Sequence, residues 1–277
     1  MFISGASRGI GLAIAKRVAA DGANIALVAK TTEPHPKLPG TIYTAAKEIE
    51  EVGGHALPIV GDVRDGDSVD AAVAQAVEQF GGIDMCVNNA SAINLGSIEA
   101  VPLKRFDLMN GIQVRGTYAV SQACIPHMKG RDNPHILTLS PPIRLESKWL
   151  KPTPYMMAKF GMTLCALGIA EELRDAGIAS NTLWPRTLVA TAAVQNLLGG
   201  DEAMARARKP EVYADAAYAV MSKPAREFTG QSLLCEDVLL AAGVSDLSVY
   251  DCLPGSELGV DLWVDEPNPP GYRSGSS

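Results

Sequence analysis

The opening stretch Met1-Phe2-Ile3-Ser4-Gly5-Ala6-Ser7-Arg8-Gly9-Ile10-Gly11 constrains this chain more than any other. A short apolar strand runs into glycines spaced G-x-x-x-G-x-G, and residues 12–19 follow with helical periodicity. Glycine lets a backbone turn sharply and lie close to a ligand. The first N–H groups of the following helix have no internal partner, and the positive end of its dipole stands behind them. Strand, glycine turn and helix in this order suit a pyrophosphate. The plainer alternative is a tight turn that holds nothing. Only Met1 to Ser4 precede the turn, whereas a parallel strand usually has about five or six residues. The expectation is that the natural chain begins a few residues earlier, or that the numbering starts late.

With 277 residues, 47% of them hydrophobic, the chain can bury one large core, and a sheet protein of this size is ordinarily one domain. A net charge of −7 argues against a nucleic-acid partner, although a local basic pocket for a phosphate remains compatible with it. Cys86, Cys124, Cys165, Cys235 and Cys252 are scattered and lack C-x-x-C spacing. They read as core thiols in a reducing compartment. His35, His55, His127 and His135 show no ligand spacing, so no metal is expected. No apolar run approaches the roughly 18 to 20 residues that span a membrane, and no signal peptide is visible. The expected location is cytoplasmic.

Strand and helix signals alternate along the chain, which predicts a parallel sheet covered by helices on both faces. Strands are expected at 1–4, 23–29, 55–60, 82–87, 135–139, 178–184 and 232–235. Residues 30–40 hold three prolines and read as a loop. Helices are expected at 44–52, from about Asp62 to Phe80 with Asp67 or Ser68 as cap, at 103–128 with a break near Gly111 and Gly116, and at 154–176. A long connection with a small helix follows Pro185, and a final helix covers 211–221. The domain is expected to span 1–252, and 253–277 a C-terminal extension ending in a mobile tail from about Pro267.

The residues most able to carry chemistry are Tyr155 and Lys159, near the start of a helix and just after a strand ending at Ser140. Positions i and i+4 share a helix face, so the ammonium can lie beside the phenol. A free phenol ionises near pH 10, and a neighbouring cation is expected to bring that value toward the working range. Such a phenol could give a proton to a carbonyl oxygen, or take one from an alcohol. The alternative is an ordinary helix with an exposed lysine and a half-buried tyrosine.

These motifs together resemble the short-chain dehydrogenase/reductase family over nearly the whole chain. The wording of 4–11, 29–38, 88–93, 139–142 and 183–187 is similar to its hydroxysteroid dehydrogenase-like branch. The resemblance implies a doubly wound Rossmann sheet of about seven strands and an NADP(H)-dependent oxidoreductase. Gly5, Gly9 and Gly11, with Ser7, Arg8 and Ile10 between them, would cradle the cofactor pyrophosphate. Asp62, with Val63, would contact the adenine ring, and Asn88, Asn89, Ala90 and Ser91 would steady the strand beside the cofactor. Tyr155 would be the general acid/base; Lys159 would lower its pKa and hold the nicotinamide ribose. Pro185 and Thr187 would meet the nicotinamide amide, with Thr191 as an alternative hydroxyl. The sterol-carrier-like domain of some branch members is not expected, because few residues follow the last strand. A homodimer or homotetramer is expected through the helices around 103–128 and 155–176.

Cofactor choice turns on charge. An NAD site places an acid after the second strand, where this chain has Ala29-Lys30-Thr31. Lys30 and Arg8 can pair with a 2′-phosphate that a carboxylate would repel, so NADP(H) is favoured over NAD(H). A solvated loop charge is the other reading of Lys30. The chain also departs from the family pattern: Gln113 stands where the proton-relay Asn is usual, and Pro141 where the substrate-orienting Ser is usual. Either Ser140 takes that role or the substrate oxygen is held differently. Apolar residues at 189–210 suit either an apolar, lipid- or steroid-like substrate or packing on the core. The rival to an enzyme is a cofactor-binding sensor or scaffold with little catalysis, for which Gln113 and Pro141 speak.

Overall fold

Apolar residues that alternate with helices give strands buried on both faces, and the computed structural model, which describes residues 1–36 and 38–272, shows that arrangement. Seven parallel strands, β1 (Phe2–Ser4), β2 (Asn24–Ala29), β3 (His55–Val60), β4 (Met85–Asn88), β5 (His135–Thr138), β6 (Ala179–Trp184) and β7 (Ser232–Leu234), form one sheet. Their order is β3-β2-β1-β4-β5-β6-β7. β1 pairs with β2 through Ile3 and Leu27 and with β4 through Ile3 and Val87, so the strand order reverses at β1. In such sheets the crevice beyond the carboxyl ends of the strands at the reversal is where ligands bind.

Helices α1 (Gly9–Ala19), α2 (Ile42–Glu51) and α9 (Glu211–Met221) bury Ile14, Ile42, Ile49, Val212 and Tyr213 against one face. Helices α3 (Gly66–Phe80) and α5 (Gly116–Met128) bury Val69, Val73, Val120 and Met128 against the other. The remaining helices are α4 (Leu103–Asn110), α6 (Thr153–Glu172), α7 (Ala192–Leu197), α8 (Gly200–Ala205) and α10 (Cys235–Ala241). No helix among the described residues is long and apolar enough to cross a membrane.

Three local expectations are corrected, and a fourth, the break in the helix over 103–128, is met. α3 is capped by Asp65, whose carboxylate accepts from the amides of Asp67 and Ser68, so the cap lies earlier than Asp67. The connection after β6 holds two short helices, α7 and α8, and α10 follows β7, so α9 is not the last. The break expected near Gly111 and Gly116 is a widened π-helical turn, Gly111–Arg115, between α4 and α5. A Cβ at Gly116 would stand 2.9 Å from Val63, so the glycine lets this turn press onto the end of β3. Lastly, the expected mobile tail is tied down over 267–272. Arg208 donates to the Pro267 carbonyl (3.3 Å) and the Asn268 side chain (2.7 Å), and the Tyr272 hydroxyl accepts from Leu247 N–H (2.8 Å). Positions 273–277 lie outside the described residues.

Candidate active site

The glycines are required first by packing. Gly5 has φ +73°, and a Cβ there would stand 2.8 Å from the Ala90 Cα. A Cβ at Gly11 would collide with the Asn89 amide and stand 2.9 Å from the Gly5 carbonyl. Asn89 clamps the turn by donating to the carbonyls of Ser4 (3.0 Å) and Gly5 (2.8 Å), while Ser4 Oγ accepts from Asn89 and Ala90 N–H. The turn therefore lies flat against the end of β4 and directs the start of α1 into the crevice. Side chains cap α2 and α3, through Thr41 and Asp65, but none caps α1. Its leading amides remain available to an anion, as the helix dipole favours.

A cleft of about 700 Å³ extends from this turn toward β3. Of the residues the sequence offers for a cofactor, Gly5, Ser7, Arg8, Gly9, Ile10, Lys30, Asp62, Val63, Asn89, Ala90 and Ser91 line it. Sequence reasoning missed Thr31, Leu38, Ile93 and Arg105, which also face it. Gly11 lies behind the turn as the close-packing residue. Lys30 pairs with Asp62 at 3.0 Å, and Arg64 with Asp62 at 2.6 Å. Arg64 above all, with Lys30 helping, holds the Asp62 carboxyl far below the usual carboxylate range. Arg8 donates to the Pro39 (2.9 Å) and Gly40 (2.9 Å) carbonyls and so anchors the proline-rich loop over the cleft. The residues that follow β2 directly are Lys30, Thr31 and Thr32, so the acid near Lys30 is Asp62, from the end of β3.

An adjoining cavity of about 380 Å³ contains both Tyr155 and Lys159 in its wall, with Asn89, Ser91, Leu139 and Pro185. Lys159 is buried, donates to the Leu139 carbonyl at 2.8 Å and stands 5.1 Å from the Trp184 ring. Burial pulls the Lys159 ammonium down to about 7, opposed by Asp261. The phenol behaves differently from expectation. Burial pushes Tyr155 well above its ordinary value, the Asp261 charge pushes the same way, and a hydrogen bond with Ser91 opposes them. The cation has its hydrogen bond at the end of β5, so desolvation dominates at the phenol and keeps it protonated.

Three expected site residues face elsewhere. Ser140 is fully buried and accepts from the Thr163 hydroxyl at 2.9 Å, so it is absent from the lining of either cavity. Gln113, in the π-helical turn, is also fully buried; its amide donates to the carbonyls of Met109 (3.0 Å) and Ala92 (2.9 Å). It braces the backbone after Ser91. Thr187 points into the protein and donates to Glu236 (3.3 Å), whereas Thr191 lines both cavities. The hydroxyl beside Tyr155 is that of Ser91. Val189, Val194 and Leu198 line the cavity, and Val189 also packs in the core.

The largest surprise is the C-terminal segment. Trp263 is buried at φ +63° and packs on Tyr155 (5.8 Å), Phe160 (5.4 Å) and Trp184 (5.7 Å). Its indole donates to the Trp149 carbonyl at 2.9 Å, and Val260, Asp261 and Leu262 complete the cavity wall. A tryptophan in a Pro- and Gly-rich stretch was the one signal of this docking. Beneath it, buried Arg208 pairs with Glu236 (3.0 Å) and Asp251 (3.0 Å), and Arg186 N–H donates to Glu236 (2.8 Å). That network joins the connection after β6, α10 and the C-terminal segment, a strap across the cavity, into one unit.

A family model described as short chain dehydrogenase matches residues 1–200. The chain is 55% identical over 266 residues to hydroxysteroid dehydrogenase-like protein 2 of Danio rerio, covering 96% of this chain and 63% of that protein. It thus spans just under two thirds of the length of this relative. A crystal structure of a short chain dehydrogenase from Mycobacterium thermoresistibile is 87% identical, with a TM-score of 0.95 over 99% of this chain and 98% of the other. A blue fluorescent protein from a metagenomic library, solved in complex with NADPH, is 27% identical with a TM-score of 0.72 over 84% and 94% of the two chains.

Proposed function

The chain belongs to the short-chain dehydrogenase family, and from that premise we propose that it is an NADP(H)-dependent oxidoreductase acting on an apolar, lipid- or steroid-like carbonyl or secondary alcohol. The observation that carries this reading is Tyr155 and Lys159 together in a cavity that opens onto the glycine-turn cleft. The uncapped amides of α1 and the flat glycine turn fit a pyrophosphate, and Lys30, Thr31 and Arg8 fit a 2′-phosphate, the nearby Asp62 carboxylate being paired with Arg64 and Lys30. When bound, the nicotinamide would give or take the hydride. The protein's part is acid–base and positional. A Tyr155 phenol kept protonated by burial is suited to donate to a carbonyl oxygen, with Ser91 steadying its hydroxyl. Lys159, fixed to Leu139, holds a proton or passes it on near neutral pH. Aliphatic Leu188, Val189, Val194 and Leu198 exclude water from the reacting carbon.

Self-association is part of the proposal: Leu103, Tyr118, Met157 and Leu164 are exposed apolar side chains on α4, α5 and α6, as an interface core requires. The experiment is a panel of apolar ketones and alcohols with NADPH and with NADH, read at the nicotinamide absorbance. Turnover that prefers NADPH is expected. The second reading, a cofactor-binding protein without catalysis, has its support in Ser140 and Gln113 being turned away from the cavity. Tight NADPH binding with no turnover across the panel would establish it instead.

A further inference from the structure

The cavity beside Tyr155 is lined mostly by aliphatic and aromatic side chains, and the charged residues among the described lining are Lys159 and Asp261. The hydrogen bond from Lys159 goes to Leu139. Asp261 is held differently. Its N–H donates to the Arg186 carbonyl at 2.9 Å and its Oδ1 accepts from Leu262 N–H at 2.6 Å. Its Oδ2 has no hydrogen-bond partner among the described residues, although the residue stands in the cavity wall.

The segment around it is rigid. Trp184 donates to the Leu262 carbonyl at 3.0 Å, Trp263 stacks on Tyr155, and Thr187 pairs with Val260 as a short antiparallel bridge. Asp261 is partly exposed, and this fixed support keeps its carboxylate in the cavity wall. Burial pushes the Asp261 carboxyl up to about 7, Glu236 pushes the same way, and the Leu262 N–H and Lys159 oppose. At pH 8 the carboxylate form prevails. Asp261 shares the cavity wall with Tyr155 and Lys159, and its charge acts on both.

We propose that Asp261 determines substrate choice: Oδ2 accepts a hydrogen bond from a hydroxyl or ammonium next to the reacting carbon, and its charge turns away substrates bearing a carboxylate there. This rests on the dehydrogenase reading, so binding and turnover are measured separately. The probes are 2-octanone, 1-hydroxy-2-octanone and 2-oxooctanoate with NADPH at pH 8, against wild type, Asp261→Asn and Asp261→Leu. The wild type is expected to favour the hydroxyketone over the ketone about tenfold or more in kcat/KM and to reject the oxo acid. Asp261→Leu should lose the hydroxyl preference, read as the ratio of kcat/KM for the hydroxyketone and the ketone. Both variants should admit the oxo acid, and Asp261→Asn, nearly isosteric, carries that arm if Asp261→Leu fails to fold. An unchanged preference in Asp261→Leu, or a wild type that takes the oxo acid as readily as the ketone, overturns the inference. Binding is followed by tryptophan fluorescence, since Trp184 lines the cavity and Trp263 packs on Tyr155. The same order in binding without any turnover sinks the dehydrogenase reading alone and leaves Asp261 as the selector; equal binding of all three probes to every variant overturns the role of Asp261.

Discussion

Trp263 stacks on Tyr155, with ring centroids 5.8 Å apart and planes 25° from parallel. A residue of the C-terminal strap thus forms one wall around the phenol, and burial rather than a neighbouring cation governs that phenol's acidity. Replacing Tyr155 by Phe keeps the ring, the stack and the fold while removing the proton. Turnover should fall about 10²- to 10⁴-fold, the span of a positioned acid, with NADPH affinity and melting temperature little changed. Full activity in Tyr155→Phe would rule out the assigned chemistry.

Gly5→Ala tests the turn. Its φ of +73° is unfavourable for alanine, and the added methyl would stand 2.8 Å from the Ala90 Cα. A loss of about 1–3 kcal/mol in stability is expected from strain and overpacking, together with a marked loss of nucleotide binding. Denaturant unfolding and an NADPH titration read the two effects. Unchanged binding would mean that the turn does not approach the pyrophosphate.

Lys30→Glu tests cofactor choice. Lys30 is 61% exposed at its side chain, so its pair with Asp62 contributes little to stability. The variant should melt as the wild type does. The ratio of NADPH to NADH affinity should drop by at least about tenfold, because a carboxylate repels a 2′-phosphate. A constant ratio would mean that Lys30 is a solvated loop charge.

The buried pair of Arg208 and Glu236, 1% and 0% exposed at their side chains, fastens the strap. Arg208→Met leaves Glu236 uncompensated and should cost about 3–5 kcal/mol in unfolding free energy. The double variant Arg208→Met with Glu236→Gln should recover part of that loss. Equal stability of the single variant and the wild type would exclude the strap as a structural unit.

Lys159 gives stability a pH signature. Its folded pKa is about 7 against an ordinary 10.5. Between those values the unfolded chain binds the proton and the folded chain does not, so stability rises with pH across that window. Lys159→Met lacks this dependence. Its melting temperature relative to wild type should therefore be highest near pH 7 and fall steadily toward pH 10. Asp261 works oppositely: with a folded pKa of about 7 against 3.8, it contributes stability that is lost as pH rises from about 4 to 7. Asp261→Asn should flatten that lower limb. A pH-independent difference for Lys159→Met would refute the desolvated ammonium.

The sheet and the cofactor-side cleft were readable because their signals are local. Hydrophobic runs between turn residues give strands. The glycine spacing, the Tyr155–Lys159 interval and the missing acid after β2 each lie within a few residues, and they placed Gly5, Lys30, Asp62 and Asn89 on one cleft. The direction in which Ser140, Gln113 and Thr187 point was not local. Each is claimed by a partner distant in sequence or by a widened helical turn, Thr163 for Ser140, Ala92 and Met109 for Gln113, and Glu236 for Thr187. Asp261 and Trp263 sit in a stretch whose composition suggests a tail, yet three buried aromatic contacts and the Arg208 network fold it onto the cavity beside Tyr155. Sequence alone determined the architecture and which residues line the cleft beside the glycine turn, because backbone periodicity and glycine geometry are properties of neighbouring residues. Only the tertiary structure decided which polar groups surround the phenol and what its acidity is, because desolvation depends on every segment packed around a side chain, however far along the chain it comes from.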